Sequence, residues 1–324
     1  MSMMNSWDGR NAMIEVVRYT SGKTAEWNAF VAQSKNGTFL FFRSYMDYHS
    51  DRFEDCSLMV YLKNRLLALL PGNRQGTTFF SHQGLTYGGF ITDARATVEH
   101  ICEAFDAVNS WLRSEGFSKV VYKPMPWIYH RLPADEDIYA LFVRCHAHLI
   151  ERDVSSTVFL SNKLKFTEAR QSGIRKARRS GCVVRESDDV AAFWNILTEN
   201  LRQKYAASPV HSVSEMRLLK DCFPDHIRLF MAYRDGVPVG GTILYLTPQV
   251  VHTQYISASP EGKQCGALDL LFNCLLNDMD FQQPYFDFGT SAREDSNEVN
   301  SSLIFQKLGF GGRAVCYDIY EWDL

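Results

Sequence analysis

The sequence predicts an α/β protein made of two similar units in tandem. The main observation is a repeated order of elements, because a hairpin, a strand, a long helix and a buried strand occur once in each half of the chain. A second observation is that the segment 154–162, which joins the halves, contains neither Pro nor Gly, which favours two units that pack together. We place the boundary after residue 155, giving units of residues 1–155 and 156–324.

The first unit begins with helical material and continues into the repeated order. Its long helix carries apolar residues from Val98 to Leu112 at the spacing of an amphipathic helix, and Gly116 marks its end. Its hairpin turns at Lys63-Asn64. The predicted elements are helices over 23–33 and 42–49, the hairpin over 57–71, a strand-like stretch over 77–90, the helix from 98, and a buried strand over 119–126.

The second unit repeats this order after three predicted helices. Its hairpin turns at Asp235-Gly236, and its third helix opens with Ser212 and Glu215 in the spacing of a capping box. The predicted elements are helices over 167–180, 190–205 and 212–222, the hairpin over 227–246, a strand over 250–260, a helix over 262–279, and a short strand over 285–291.

Composition excludes several classes of protein. Apolar residues make up 46% and charged residues 22% of the chain, as in an ordinary globular protein. The net charge of −3 argues against a DNA-binding protein, and no apolar run is long enough for a transmembrane helix. Residues 1–13 lack the pattern of a signal peptide, and the eight cysteines show no metal-site spacing. We therefore expect a cytoplasmic protein with reduced thiols and no metal.

Four segments carry a resemblance to a known family. They are RQSGIRKARRSGCVVRES at 170–187, VVHTQYISASPEGKQCGALDLLF at 250–272, YFDFGTS at 285–291, and NSSLIFQKLGFGGRAVCYDIYEW at 300–322. The chain resembles the FemAB-like group of tandem GNAT acyltransferases, most strongly from about residue 165 onward. The resemblance implies two GNAT-like domains, each with a mixed central sheet flanked by helices. It also implies a degenerate first domain that serves as an acceptor platform.

The resemblance implies transfer of an acyl or aminoacyl group to an amine, with acyl-CoA as the expected co-substrate and no permanently bound cofactor. Such a reaction needs two substrates held in attack geometry, a route for the amine proton and donors for the developing oxyanion. The expected acceptor is a small-molecule or peptide-like amine. Two alternatives stay open: an aminoacyl transferase that uses aminoacyl-tRNA on a peptidoglycan precursor, and an inactive ligand-binding module.

Two charged residues are the leading catalytic candidates. Asp287 ends a strand, where it could accept the amine proton or instead cap the following turn. Lys307 stands just before Gly309-Phe310-Gly311, and the resemblance implies that it faces the donor site. Gln254 and Tyr255 are further candidates, with Gln254 expected on the same strand face as His252 and Tyr255 on the other.

The expected donor loop departs from the usual GNAT glycine pattern. Gly262, Lys263, Gly266 and Ala267 could form a phosphate-binding helix start, with the glycines allowing close approach and Lys263 supplying charge. Alternatively, the loop is a plain turn into a helix. This departure puts CoA as the donor in doubt.

The candidates for acceptor binding lie in two other segments. We expect 163–179 to form a helix whose Arg175 and Lys176 border an interdomain cleft and bind phosphate, although such a run can also be a solvated face. In the first unit, Lys123 ends a strand as Asp287 does in the second, so we expect it beside the same cleft, with His130 close behind. A rigid loop is the alternative for this segment.

Overall fold

The computed structural model describes residues 14–205, 207–293 and 296–324. The segment 1–13, in which we looked for a signal peptide, lies outside the described residues. Among the helices that are described, none is both long and apolar enough to cross a bilayer.

The first half alternates short strands with helices. Its elements are β1 (Ile14–Arg18), α1 (Thr24–Gln33), α2 (Arg43–Met46), β2 (Glu54–Asp55), β3 (Leu58–Leu62), β4 (Arg65–Leu70), β5 (Asn73–Gln75), β6 (Thr78–Phe80), β7 (Ile91–Thr92), α3 (Val98–Ser114), β8 (Lys119–Tyr122), α4 (Glu136–Val143) and β9 (His148–Phe159). The stretch 77–90, expected to be one strand, is extended only at β6, because a loop that contains Gly88 and Gly89 follows it.

The second half begins with helices and ends on a long strand. Its elements are α5 (Glu168–Arg179), β10 (Val183–Ser187), α6 (Val190–Tyr205), α7 (Val213–Cys222), β11 (Ile227–Arg234), β12 (Val237–Leu246), β13 (Val250–Ala258), α8 (Pro260–Cys265), α9 (Ala267–Asn273), β14 (Tyr285–Thr290), β15 (Ala292–Arg293), β16 (Ser296–Val299), α10 (Ser301–Gly309) and β17 (Arg313–Asp323). The mixed α/β class predicted from the sequence is confirmed.

One large sheet runs through both halves. Within the described residues it has eleven strands in the order β10-β11-β12-β13-β14-β9-β17-β8-β6-β5-β2, and a second sheet has the order β1-β3-β4-β7. The boundary that we placed after residue 155 falls inside β9, and β17 pairs with both β9 and β8. The two halves therefore share backbone hydrogen bonds, and the division at residue 155 stays a prediction.

The local signals in the sequence specify the hairpins. Lys63 and Asn64 both have positive φ between β3 and β4, as do Asp235 and Gly236 between β11 and β12. The capping box is also present, since Ser212 accepts from the backbone of Glu215 and Glu215 bonds back to the Ser212 backbone. These predictions are confirmed because they depend on neighbouring residues alone.

The prediction of one continuous helix over 262–279 is wrong. It divides into α8 and α9 at Gly266, which has a φ of 82° and caps both helices. A Cβ at Gly266 would lie 2.6 Å from the carbonyl oxygen of Gly173 in α5, so only glycine fits there. The break therefore results from packing between α5 and the α8–α9 corner.

A shared hydrophobic core joins the two halves. Trp27 and Phe39 of the first half lie in the same buried cluster as Phe193 and Tyr245 of the second. The Phe39 ring packs edge-on against Tyr245, with 5.3 Å between the ring centres. Burial of aromatic side chains contributes strongly to stability, so the shared core stabilises the contact between the halves in addition to the sheet.

Candidate active site

The strands β13 and β14 separate in the middle of the sheet. They pair in parallel from Val250 opposite Tyr285 to His252 opposite Asp287, and they do not pair beyond that point. β13 carries a register shift where it passes Leu244, and Gly289 in β14 has a φ of 71°. The gap between the two strands leaves room for a ligand between them.

A cavity of about 240 Å³ opens where these strands separate, and we call it the splay cavity. Its lining includes Ser257 and Ala258 of β13, Phe288 of β14, and Gln306 and Lys307 of α10. Aromatic and aliphatic walls with a few polar groups are typical of a small-molecule site.

Lys307 is held at the edge of the splay cavity with its ammonium group fully hydrogen-bonded. Its side chain is 7% exposed. Nζ donates to the carbonyls of Gly289 (2.8 Å) and Thr290 (2.7 Å) and to Oγ of Ser291 (2.9 Å). Burial lowers the pKa of Lys307 to about 8, against the opposing effect of Asp287. The ammonium thus fixes the end of β14 and places a charge beside the cavity.

Asp287 is the centre of a buried polar network. The side chain is fully buried and accepts hydrogen bonds from Ser155, from Thr157 (2.7 Å), from Nδ1 of His252 (2.9 Å) and from the hydroxyl of Tyr317 (2.9 Å). Burial opposes ionisation, but the hydrogen bonds from His252, Ser155 and Thr157 hold the pKa of Asp287 below its ordinary value. It is therefore a carboxylate with all its acceptor positions in use.

The first half contributes to this network through Tyr129. Its hydroxyl lies 3.2 Å from Nδ1 of His252 and 3.0 Å from the hydroxyl of Tyr317, and its ring packs on Tyr87. Burial raises the pKa of Tyr129 and Tyr317 well above the ordinary value, so both hydroxyls stay protonated. The sequence analysis did not identify Tyr317, and only the strand pairing between β9 and β17 brings it close to Asp287.

A second cavity, of about 150 Å³, lies between the two halves, and we call it the cleft cavity. It is lined by Lys123, Glu151 and Asp153 together with Thr290 and Tyr317. Burial lowers the pKa of Lys123, and the nearby charges of Glu151 and Asp153 oppose that shift. Lys123 therefore lies beside a cavity between the halves.

The two cavities adjoin at the end of β14. Thr290 lines the cleft cavity, and its carbonyl accepts from Lys307, which lines the splay cavity. Tyr317 lines the cleft cavity and donates to Asp287. The end of β14 and the Lys307 side chain therefore lie between the two cavities.

The predicted donor loop is only partly placed at a cavity. Gly262 and Gly266 border a groove next to the splay cavity. Gly262 is required by packing, since a Cβ there would lie 1.9 Å from the carbonyl oxygen of Val239. Ala267 is fully buried in a hydrophobic cluster, which argues against a direct contact with a cofactor.

Lys263 is the positively charged residue of this loop. It lines both the groove and the splay cavity, and its ammonium bonds to Oδ1 of Asn200. Arg170 lines the same groove and pairs with Asp269 at 2.6 Å. The groove beside the splay cavity therefore carries two cationic groups, Lys263 and Arg170, of which Arg170 is paired with an acid.

The expected faces of β13 are wrong for Tyr255. On the neighbouring strand β12, Leu244 lies opposite Thr253 and Ile243 lies opposite Tyr255. Gln254 between them has no cross-strand partner on β12 because of the register shift. Tyr255 packs against the core cluster that contains Tyr245, the partner of His252. A β-bulge moves the following side chains to the other face, which simple alternation does not predict.

Tyr255 is also engaged away from the strand gap. Its hydroxyl lies 2.5 Å from Nδ1 of His211, and its ring packs edge-on against Trp194. Gln254 is half-buried at the bulge. Neither contact of Tyr255 joins it to the Asp287 network, and catalytic roles for both residues stay predictions.

His130 is tied to its own loop. Nε2 lies 3.2 Å from the carbonyl of Met125, and burial lowers the pKa of His130. Its neighbour Tyr129 is the residue that reaches the network. A substrate-binding role for His130 stays a prediction.

The basic helix lies away from the cleft between the halves. α5 begins at Glu168 rather than at residue 163, and Arg175 pairs with Glu168 on the surface. The groove beside Arg175 is lined by second-half residues such as Lys163 and Asn273. The predicted position of Arg175 and Lys176 at an interdomain cleft is therefore wrong, and phosphate binding there stays a prediction.

Comparison with known proteins agrees with this geometry. Residues 167–295 match the model of the acetyltransferase (GNAT) domain family. No curated protein sequence matches the chain. The matched range contains β13, β14 and the α8–α9 loop, which form part of the wall of the splay cavity, while α10 with Lys307 lies beyond the matched range.

Solved structures extend the likeness to the whole chain. FemX superposes with a TM-score of 0.69 at 11% identity, over 96% of this chain and 97% of FemX. L-PGS from Bacillus licheniformis gives 0.59 at 11% identity, over 91% and 90%. A tandem GNAT protein from the clavulanic acid biosynthesis pathway gives 0.50 at 12% identity, over 96% and 98%. The chain thus has the FemAB-like tandem GNAT fold, which confirms the resemblance seen in its sequence.

Proposed function

We propose that the chain is an N-acyltransferase that moves an acyl group from acyl-CoA to a primary amine. The observation that carries this proposal is the splay cavity, which opens in the middle of the sheet beside Lys307 and adjoins a second cavity between the halves. Acyl transfer requires this arrangement of two sites that meet at one point.

The splay cavity is suited to the acyl donor. Its apolar wall, formed by Phe288 and Phe310 among others, can hold an acyl chain or pantetheine arm, and Lys263 leads into the cationic groove beyond it. The buried hydroxyl of Thr253 has no hydrogen-bond partner among the described residues, at the position where the strands separate. A donor of this kind can stabilise a developing oxyanion.

The cleft cavity is suited to the amine. Glu151 and Asp153 attract an ammonium group, and Lys123 can pair with an anionic group on the same acceptor. Mixed charges of this kind favour an amino acid or a peptide-like amine over an uncharged one. Tyr317 joins this cavity to the Asp287 network.

The proposal is tested by incubating the protein with acetyl-CoA and a panel of primary amines: N-α-acetyl-lysine, glycylglycine, putrescine and benzylamine. We expect release of the CoA thiol that depends on the amine, with the acetylated amine detected by mass spectrometry. Acetyl-CoA should also raise the melting temperature, because a ligand at 100 times its Kd adds about 2.7 kcal/mol of stability. Stabilisation by acetyl-CoA without turnover of any amine would indicate an inactive binding module. Absence of both stabilisation and turnover would contradict acyl-CoA as the donor.

A second candidate function is aminoacyl transfer from aminoacyl-tRNA. One observation favours it: the start of α8 is poorly suited to a pyrophosphate. Pro260 has no N–H there, the side chain of Ser259 already accepts from the Gly262 N–H, and Glu261 adds a negative charge. An aminoacyl ester would need the splay cavity but not this helix start. Incorporation of a labelled amino acid from aminoacyl-tRNA into a peptidoglycan precursor, without turnover of acetyl-CoA, would favour this function.

A further inference from the structure

We propose that His252 is the general base of the acyl transfer and that Asp287 is the residue that positions it. This inference rests on the proposed function, since it assigns a step of that reaction. The supporting observation is the position of the His252 imidazole, which lies between the buried carboxylate of Asp287 and the gap where β13 and β14 separate.

The contact with Asp287 fixes the tautomer of His252. Nδ1 of His252 lies 2.9 Å from Oδ2 of Asp287, which is fully buried. An ionised carboxylate can only accept, so Nδ1 must carry the hydrogen. In the neutral imidazole Nε2 then carries the lone pair, which is the atom that can take a proton.

Nε2 of His252 lies beside Gly289, at the end of β14. Its side chain is about one tenth exposed, and no described residue bonds to Nε2. The ring lies against Gly289: a Cβ on that glycine would be 3.3 Å from Cε1 and 3.8 Å from Nε2. The missing side chain therefore leaves space beside the imidazole, at the end of the splay.

The groups that face His252 come from four elements. Asp287 of β14 holds Nδ1, Tyr129 of the first half lies 3.2 Å from the same atom, and Tyr317 of β17 bonds to both of these residues. Lys307 of α10 bonds to the carbonyl of Gly289. Nδ1 is thus enclosed by the network, while Nε2 is left open.

The other titratable groups at this point are poor bases. Asp287 has its acceptor positions in use and a lowered pKa. Lys307 uses its ammonium hydrogens on three acceptors, and the hydroxyls of Tyr129 and Tyr317 have strongly raised pKa values. Nε2 of His252 is therefore the group at this point with a lone pair that no described residue uses.

The bound ammonium group first loses one proton to water. The lone pair of the resulting neutral amine attacks the acyl carbonyl carbon, so that a C–N bond forms, and the C–S bond of the thioester then breaks. The amine proton moves to Nε2 of His252, which becomes an imidazolium beside the carboxylate of Asp287. The thiolate leaves, and the imidazolium returns its proton to the thiolate or to water. Asp287 is not protonated in this step.

The test compares His252→Gln and Asp287→Asn with the wild type, using acetyl-CoA and whichever amine of the panel the wild type acetylates fastest. General-base catalysis typically contributes about 10²–10⁴-fold, so His252→Gln should lower kcat by that factor. It should also remove the rise of kcat/KM across the imidazole range of pH. The pH profile uses N-α-acetyl-lysine, whose amine titrates near pH 10 and therefore gives a separate limb. Asp287→Asn should lower kcat because it no longer fixes the tautomer.

The matched control is His226→Gln. His226 is a half-buried histidine whose Nδ1 lies 2.8 Å from the carbonyl of Leu246 and whose ring stacks on Phe39, away from the Asp287 network. This variant should keep the wild-type rate and pH profile. Acetyl-CoA should raise the melting temperature of His252→Gln as much as that of the wild type, which shows that the variant is folded and binds the donor.

Two outcomes would overturn the inference while the proposed function stands. One is an active wild type whose His252→Gln variant retains its rate and pH profile. The other comes from the nitrogen NMR spectrum of the imidazoles near pH 8, with His252 assigned by its loss in His252→Gln: a hydrogen on Nε2 rather than on Nδ1 contradicts the assignment. A wild type that acetylates no amine overturns the proposed function itself, and the inference with it.

Discussion

Replacing Lys307 with Met removes the charge at the splay cavity and keeps the length and the apolar stem of the side chain. In the structure the ammonium bonds to the carbonyls of Gly289 and Thr290 and to Oγ of Ser291. Gly289 and Ser291 are buried, whereas Thr290 is exposed and can bond to water. The variant therefore leaves two buried acceptors without a partner.

The expected loss of stability is small because two effects oppose each other. An unsatisfied buried acceptor costs about 1–3 kcal/mol, so two cost roughly 2–6 kcal/mol. Burial lowers the pKa of Lys307 from 10.5 to about 8. At about 1.4 kcal/mol for each pH unit, the buried charge itself costs roughly 3 kcal/mol, which the variant recovers. The free energy of unfolding should therefore fall by no more than about 3 kcal/mol.

The effect on the rate should be much larger. The Lys307 ammonium is bonded to protein acceptors, so it acts as a positive charge beside the developing oxyanion; electrostatic stabilisation of this kind is typically worth about 10²–10³-fold in kcat, and Met supplies none. The assay is amine-dependent release of CoA, together with urea unfolding at pH 7. Lys163→Met is the matched control, since Lys163 bonds to the carbonyl of Leu276 away from the splay cavity. A Lys307→Met enzyme with a wild-type rate, or one that loses as much rate as Lys163→Met does, would refute this reasoning.

Three further predictions concern the same end of β14. Gly289→Ala and Gly236→Ala both place Ala at positive φ, so each variant should lose about 1–2 kcal/mol of stability. Only Gly289→Ala crowds His252, so only this variant should abolish turnover in the CoA-release assay. The stability of the wild type relative to Lys307→Met should stay flat below about pH 8 and rise between about pH 8 and pH 10.5. Between these pH values Lys307 has lost its proton in the folded protein but keeps it in the unfolded chain. A stability difference that falls with pH in urea titrations contradicts this prediction. Glu151→Gln should raise KM several-fold for both putrescine and benzylamine, because both are ammonium ions at pH 7, and an unchanged KM for both amines would rule out a charge effect.

The parts of the fold that the sequence predicts are those fixed by neighbouring residues. The turns at Lys63-Asn64 and Asp235-Gly236 have the backbone conformation that such residues favour, and the capping box needs only Ser212 and Glu215. The break at Gly266 was not predicted, because its cause is contact with Gly173, far away in the sequence. Local propensity has no information about such contacts.

The candidate site follows the same rule. Asp287 and Lys307 could be selected from the sequence because each stands beside a recognisable segment. The partners of Asp287 could not, since Ser155 and Thr157 are more than 120 residues away from it in the chain. Tyr255 was assigned to the wrong face because a bulge depends on the partner strand, not on the strand itself.

The shared sheet explains how residues from both halves come to act at one point. The strand order β14-β9-β17-β8 puts three interstrand spacings between Asp287 and the strand that ends just before Lys123. At about 4.8 Å each, these amount to roughly 14 Å, the length of about four extended residues. A compact amine cannot cover this distance, whereas an extended acceptor can hold an anionic group at Lys123 and still bring its amine to the end of β14. β17 lies between the two positions and supplies Tyr317, which bonds to Asp287. This strand therefore contributes to the candidate site as well as to the sheet.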